Sequence, residues 1–294
     1  MKAEEVAGLG GMVRAQFTLT VPEGKLLIAR AIAALPDVRR ALETGRILLK
    51  GGTTVSAVAE QLAKVALRIS GRVTPRGTKA AWDSGDDSPH SIILEKGSWR
   101  NIDGCFAEEV ASLSLGDVAV LGANALDPQG RAAMMAGSLL GGNPGRALSG
   151  LMAQGVKVFV ACGLEKLIPG PVDEAIKHCG LTGTSWSMGM AVGLMPVVGH
   201  VVTEREAVEI LSGAICTVIG RGGINGAEGA TTMVAEGDEA KVQAAISVVL
   251  DVKGACTSGS SRSMEECRAG CPKCREHRSC AWRKWSKSGF EKRQ

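Results

Sequence analysis

The sequence predicts an α/β protein: a mostly parallel, Rossmann-like sheet, a smaller α+β subdomain and a cysteine-rich C-terminal tail. Three observations lead there. Short aliphatic runs, RILLK at 46–50, DVAVL at 117–121 and VKVFVA at 156–161, alternate with segments of helical spacing, the pattern of parallel strands joined by crossovers. Those runs are apolar on consecutive residues, as strands covered on both faces are. The chain also holds 39 glycines but only 3% aromatics and no tyrosine, which disfavours a β-sandwich, whose core usually relies on aromatic bulk.

The chain of 294 residues is 45% hydrophobic and 22% charged, enough to bury a sizeable core and too apolar for disorder over most of its length. No apolar run reaches membrane-spanning length. The longest candidate, 188–202, is broken by three glycines, Pro196 and His200, so no membrane partner is expected. The first residues, MKAEEVAGLGG, lack the basic and then apolar character of a secretory signal. That points to a cytoplasmic, reducing setting, in which nine cysteines are thiols or metal ligands rather than disulfides. From Arg262 onward ten Lys/Arg face four Asp/Glu, a surplus larger than the net +4 of the whole chain. The basic character therefore belongs to the tail.

After a polar start, 22–43 reads as a helix with Pro22 in its first turn, Leu26, Ile28 and Ile32 apolar, and Pro36 dividing it. The strand at 46–50 enters a tight Gly51–Thr54 loop, and Val58, Leu62 and Leu67 then carry helical spacing to residue 67. Residues 72–90 form a Gly-, Pro- and Asp-rich excursion, followed by a short strand at 91–94. A helix at 106–115, a buried strand at 117–121, a helix ending at Gln154, another strand at 156–161 and a short helix at 171–178 complete the expected first domain, 1–180. Two strand-like runs around Met190 and Val198, a helix at 204–211, strands at 215–219 and 231–235 and a helix at 238–250 suggest a split-βαβ subdomain over 181–255. The remainder, 256–294, is a basic cysteine-rich tail.

Lys50-Gly-Gly-Thr-Thr54 sits at a strand-to-helix junction. Free amides at a helix start, close approach at glycine and threonine hydroxyls together suit an anion, although Thr also caps helices without any ligand. Gly122-Ala-Asn-Ala-Leu-Asp127-Pro-Gln-Gly130 follows a strand at its carboxyl end, where open α/β sheets bind ligands. Its Asp-Pro-Gln-Gly portion equally suits a type I turn. In order along the chain, these two loops, the small-residue stretch Gly137-Ser138 and the segment Gly163-Leu-Glu-Lys166 resemble the ribose-5-phosphate isomerase / CoA-transferase-like superfamily over residues 22–171. The resemblance implies a phosphate loop at Gly51–Thr54 and a ligand at the carboxyl ends of the strands. The chain departs from it in places. Asn124 stands where the loop's acid is usual, and Met134 or Met135 replaces the isomerases' lysine. An enediol isomerase needs a base, so the binding architecture carries over better than the isomerase reaction.

The expected ligand-binding residues are Lys25, Gly51, Gly52, Thr53, Thr54, Gly122, Asn124 and Lys166, and the candidate catalytic groups are Glu165 and Asp127. Glu165 suits a carboxylate nucleophile or base and Lys166 a phosphate contact, while a surface ion pair is the plainer reading of both. His90, His178 and His200 share no pattern and read as structural. Cys267-x3-Cys271-x2-Cys274-x5-Cys280 places four thiols within fourteen residues, a ligand set for zinc or a [4Fe–4S] cluster. Arg and Lys side chains with Trp282 and Trp285 surround it, so nucleic acid is an alternative partner of the tail. The glycine-rich 220–229 segment reads as a long hairpin turn, with an anion held by its amides and Arg221 as the alternative. The leading expectation is binding, with or without turnover, of a phosphorylated small molecule or a CoA- or nucleotide-like ligand. The alternatives are a nucleic-acid-binding regulator working through the tail, and acyl transfer at Glu165.

Overall fold

The computed structural model describes residues 11–80, 86–266 and 281. The chain opens with β1 (Val13–Leu19), where the sequence suggested only a polar start. Its alternating exposure marks a strand with one face covered. α1 (Val21–Ala34) starts where the Thr20 amide donates to the Glu23 carboxylate at 2.8 Å, and Pro36 opens a separate α2 (Pro36–Thr44). β2 (Arg46–Lys50) leads into α3 (Thr53–Ala63). The Gly/Pro-rich excursion contains a hairpin, β3 (Gly71–Thr74) with β4 (Gly77–Ala80), and a second hairpin follows, β5 (Ser91–Glu95) with β6 (Ser98–Asn101). Next come α4 (Phe106–Ser112), β7 (Val118–Gly122), β8 (Ala125–Leu126), β9 (Ala132–Ala136), α5 (Gly142–Ala153), β10 (Lys157–Ala161) and α6 (Val172–Lys177). The remainder comprises β11 (Gly193–Val197), β12 (His200–Val202), α7 (Glu204–Ser212), β13 (Ile215–Arg221), β14 (Thr231–Gly237) and α8 (Glu239–Leu250).

The central sheet has the order β12-β10-β7-β2-β5-β6. Its first four strands are parallel, while β5 and β6 are antiparallel additions. Both faces are buried, and alternate residues supply different cores. Ile47, Leu49, Val118, Val120 and Phe159 point to the side of α1, α3 and α7. Leu48, Ala119, Leu121, Val158 and Val160 join Phe106, Val110 and Leu151 of α4 and α5 on the other. This two-sided burial is what made the strands legible as continuous aliphatic runs.

Smaller antiparallel sheets surround this layer. β1 pairs along its length with β14, which also pairs with β13, and α7 and α8 pack on this sheet. Each neighbouring pair in this sheet is antiparallel, so β1 and β13 run in the same direction on either side of β14, and the start of the chain supplies the third strand beside the β13–β14 hairpin. The runs expected around Met190 and Val198 lie at 193–197 and 200–202 instead. β11 pairs with β9, and β12 joins the central sheet beside β10. Strand pairing thus crosses residue 180 in three places. Among the described residues no helix is long and apolar enough to cross a membrane.

Candidate functional site

β2, β7 and β10 are parallel, so their carboxyl ends (Lys50, Gly122 and Ala161) fall on one edge, and all three line a cavity of about 480 Å³. That volume suits a small organic ligand. The Gly51–Thr54 turn forms part of its wall. The Gly51 amide donates to the His90 carbonyl at 2.7 Å, and a Cβ at Gly51 would lie 2.4 Å from that oxygen. Only glycine fits this contact. A Cβ on Gly52 would meet nothing within 4 Å, so that glycine leaves the helix start open to the cavity. The helix begins with the Ser56 amide donating to the Gly52 carbonyl at 2.7 Å. The amides of 52–55 ahead of it have no protein acceptor among the described residues, which is the condition for anion capture at a helix start.

The charged lining is one-sided. Among the described residues, Lys25, Lys50, Arg68, Arg72 and Lys166 line the cavity with a single carboxylate, Asp103. Arg68 is tied to Asp103 at 2.9 Å and to the Ser88 carbonyl at 3.1 Å. Arg72 donates to the carbonyls of Ser263, at 2.8 Å, and of Glu265. Lys25 and Lys166 approach one oxygen of Glu165 at 3.5 and 3.6 Å. Lys50 differs from all four: among the described residues its ammonium has one hydrogen-bond contact, the Met134 sulfur at 3.1 Å. Burial pushes its ammonium down to about 8. His90 lies close enough for Lys50 to depress it further after burial, to about 4. Both His90 ring nitrogens are used by the protein. Nδ1 sits 2.8 Å from the Arg68 carbonyl and so carries the hydrogen, while Nε2 accepts from Ser70 at 3.1 Å. Met134, Met135, Met190 and Met195 line much of the rest, a soft apolar wall that adapts to irregular shapes.

The expected binding residues Lys25, Gly51, Gly52, Thr53, Thr54, Gly122, Asn124 and Lys166 all line the cavity. The two expected catalytic carboxylates do not. Asp127 is a knot within its own loop. Its side chain is fully buried and accepts from the amides of Gln129, Arg131 and Val172 and from the Arg131 guanidinium, all within 3.0 Å. Burial pushes its carboxyl up, but those donors more than offset this and hold it below the usual range. An acid so saturated is a turn-former, which corrects the catalytic expectation. Glu165 sits behind the lining as the shared counter-ion of Lys25 and Lys166. Asn124 reaches the cavity, yet its Oδ1 also accepts the Met135 amide at 2.9 Å and so fixes β9.

Behind Glu165 lies a second acid that sequence reasoning missed. Glu204 accepts the Leu164 amide at 2.8 Å and the Thr231 hydroxyl at 2.7 Å, and burial, with a smaller contribution from Glu165, raises its carboxyl above the usual range. Cys162 beside it is pushed up to about 12, chiefly by burial, so it is a packing thiol. Arg68, Arg72 and His90 were missed as lining because they come from the excursion, where no local spacing signals convergence. Lys50 was legible only as the residue before two glycines. Cys267, Cys271, Cys274 and Cys280 lie outside the described residues, and among the described residues no three metal-ligating side chains cluster. Compared with family models, curated proteins and solved structures, the chain finds no match.

Proposed function

We propose that the cavity binds a phosphorylated small organic molecule, with its phosphate at the start of α3 and its organic part against the methionine wall. The observation that carries this reading is the charge balance of the lining, five cations to one carboxylate, at an uncapped helix start. Positive charge held in a concave, partly desolvated site is costly unless an anion shares it. The methionines favour an organic phosphate, of which a CoA- or nucleotide-like ligand is one kind, over the inorganic ion. The order of the three loops, which resembles the ribose-5-phosphate isomerase / CoA-transferase-like superfamily, supports the same reading.

Calorimetric titration with sugar phosphates, nucleotides and CoA esters tests it. At least one should bind more tightly than inorganic phosphate, and Thr54→Ala or Lys166→Ala should weaken that ligand by roughly tenfold to a hundredfold, the loss of one hydrogen bond to a charged group. Equal affinity in both variants would remove the helix start and Lys166 from the site.

A further inference from the structure

We propose that Lys50 is a nucleophilic amine that condenses with the carbonyl group of a phosphorylated aldehyde or ketone held in the cavity. This inference rests on the phosphate-binding reading above and names the substrate class for it. Geometry comes first. Lys50 ends β2 and lines the cavity, and only Gly51 and Gly52 separate it from the first turn of α3. A phosphate on the α3 amides therefore brings the neighbouring carbons of the same molecule towards the Lys50 amine.

The second consideration is what surrounds that amine. No carboxylate among the described residues pairs with it, and its contact is a thioether, a weak acceptor. The charged groups sharing the cavity are Lys25, Lys166, Arg68 and Arg72, with Asp103 already taken by Arg68 and by the amides of His90 and Ser91. His90 is neutral and both its ring nitrogens are occupied. Cations, an apolar wall and a helix start all disfavour an ammonium ion. At pH 7 a value of about 8 leaves roughly two hundred times more free amine than an ordinary lysine has. A lysine desolvated among other cations is the usual preparation for imine chemistry.

The step balances without a further reactant. The amine lone pair attacks the carbonyl carbon, the amine's two protons leave with the carbonyl oxygen as water, and a C=N bond joins Lys50 to the ligand. No electrons are exchanged.

Pyridoxal 5′-phosphate serves as the probe, a phosphorylated aldehyde whose imines are trapped by cyanoborohydride. The intact chain is treated with both reagents and its lysines are mapped by peptide mass spectrometry. The expected result is an adduct on Lys50 forming at least about tenfold faster than on any other lysine. It should be suppressed by inorganic phosphate, and pyridoxal without its phosphate should react no faster there than at the surface. Lys50→Arg should lose the adduct while still binding the probe reversibly. Phosphate-sensitive binding with no Lys50 adduct overturns the amine and leaves the binding reading standing. Surface labelling only, with no effect of phosphate, overturns both. Labelling of Lys50 that phosphate does not suppress overturns the proposed phosphate anchoring. If Lys50→Arg fails to fold, these wild-type arms still decide.

Discussion

Lys25 and Lys166 share the Glu165 carboxylate at 3.5 and 3.6 Å, whereas Lys50, at the end of β2, meets a methionine sulfur and, among the described residues, no acid. All three line the same cavity. Burial lowers Lys25 too, but there the pull of Glu165 opposes it. At Lys50 nothing opposes it. The contrast shows how one sheet edge prepares two kinds of amine. A counter-ion keeps a buried lysine charged and suited to holding an anion, while its lack leaves a lysine ready to lose its proton.

The largest effect should come from making the two places alike. Glu165→Gln removes the carboxylate from beneath Lys25 and Lys166, and the loss should be about 3 kcal/mol, the usual cost of stranding a buried charge. Guanidinium unfolding measures it, and adding Lys25→Met should restore part of the stability. A Glu165→Gln variant as stable as wild type would mean that the two lysines do not depend on their acid.

Lys50→Met tests the other end and should be stabilising, by about 3 kcal/mol at pH 7. Folded Lys50 titrates near 8 rather than 10.5, so between those values the unfolded chain holds a proton that the folded chain does not. The stability of the wild type therefore rises with pH across this window, and its deficit against Lys50→Met, fully present below pH 8, closes towards pH 10.5. Unfolding midpoints at several pH values check this; a gap that does not vary with pH would refute it.

Glu204→Gln should change stability at pH 7 by no more than about 0.5 kcal/mol, because a glutamine oxygen can accept the Leu164 amide and its nitrogen can donate to Thr231. Its raised carboxyl does give a pH signature. Burying the charged form is costly, and that cost is relieved as pH falls through the raised value. Wild type should gain on Glu204→Gln in mildly acidic buffer, and denaturation curves at pH 7 and pH 5 would show whether it does.

The tail should affect the lysines least. Full-length protein purified without oxygen is expected to carry one zinc or iron–sulfur centre. Replacing Cys267 and Cys271 with serine should remove it, as elemental analysis and the absorption spectrum would report, and leave phosphate binding unchanged. Metal-free wild type would refute the four-cysteine expectation.

Local pattern carried most of the elements. The run at 46–50 is a strand and the one expected at 117–121 is found at Val118–Gly122, Pro36 does divide the first helical region, and the helix starts at Glu204 and Glu239 follow polar capping residues. β1 escaped because its partner, β14, lies more than two hundred residues away. Its alternation is visible in VRAQFTL, but an isolated alternating run does not say what it pairs with. Asp127 misled for the opposite reason. A strand-end loop signals a ligand site in general, and only the folded chain shows this carboxylate spent on four donors of its own neighbourhood.

By itself the sequence determined the alternating strands and helices, the glycine–threonine turn and the loops that follow the strand ends, because these depend on periodicity and on residues adjacent in the chain. Tertiary structure alone decided which of these lysines lies against a carboxylate. Whether a buried amine meets Glu165 or a methionine depends on how separate strands are placed side by side. The cost of burying a charge is set by those spatial neighbours, whatever residues precede or follow it.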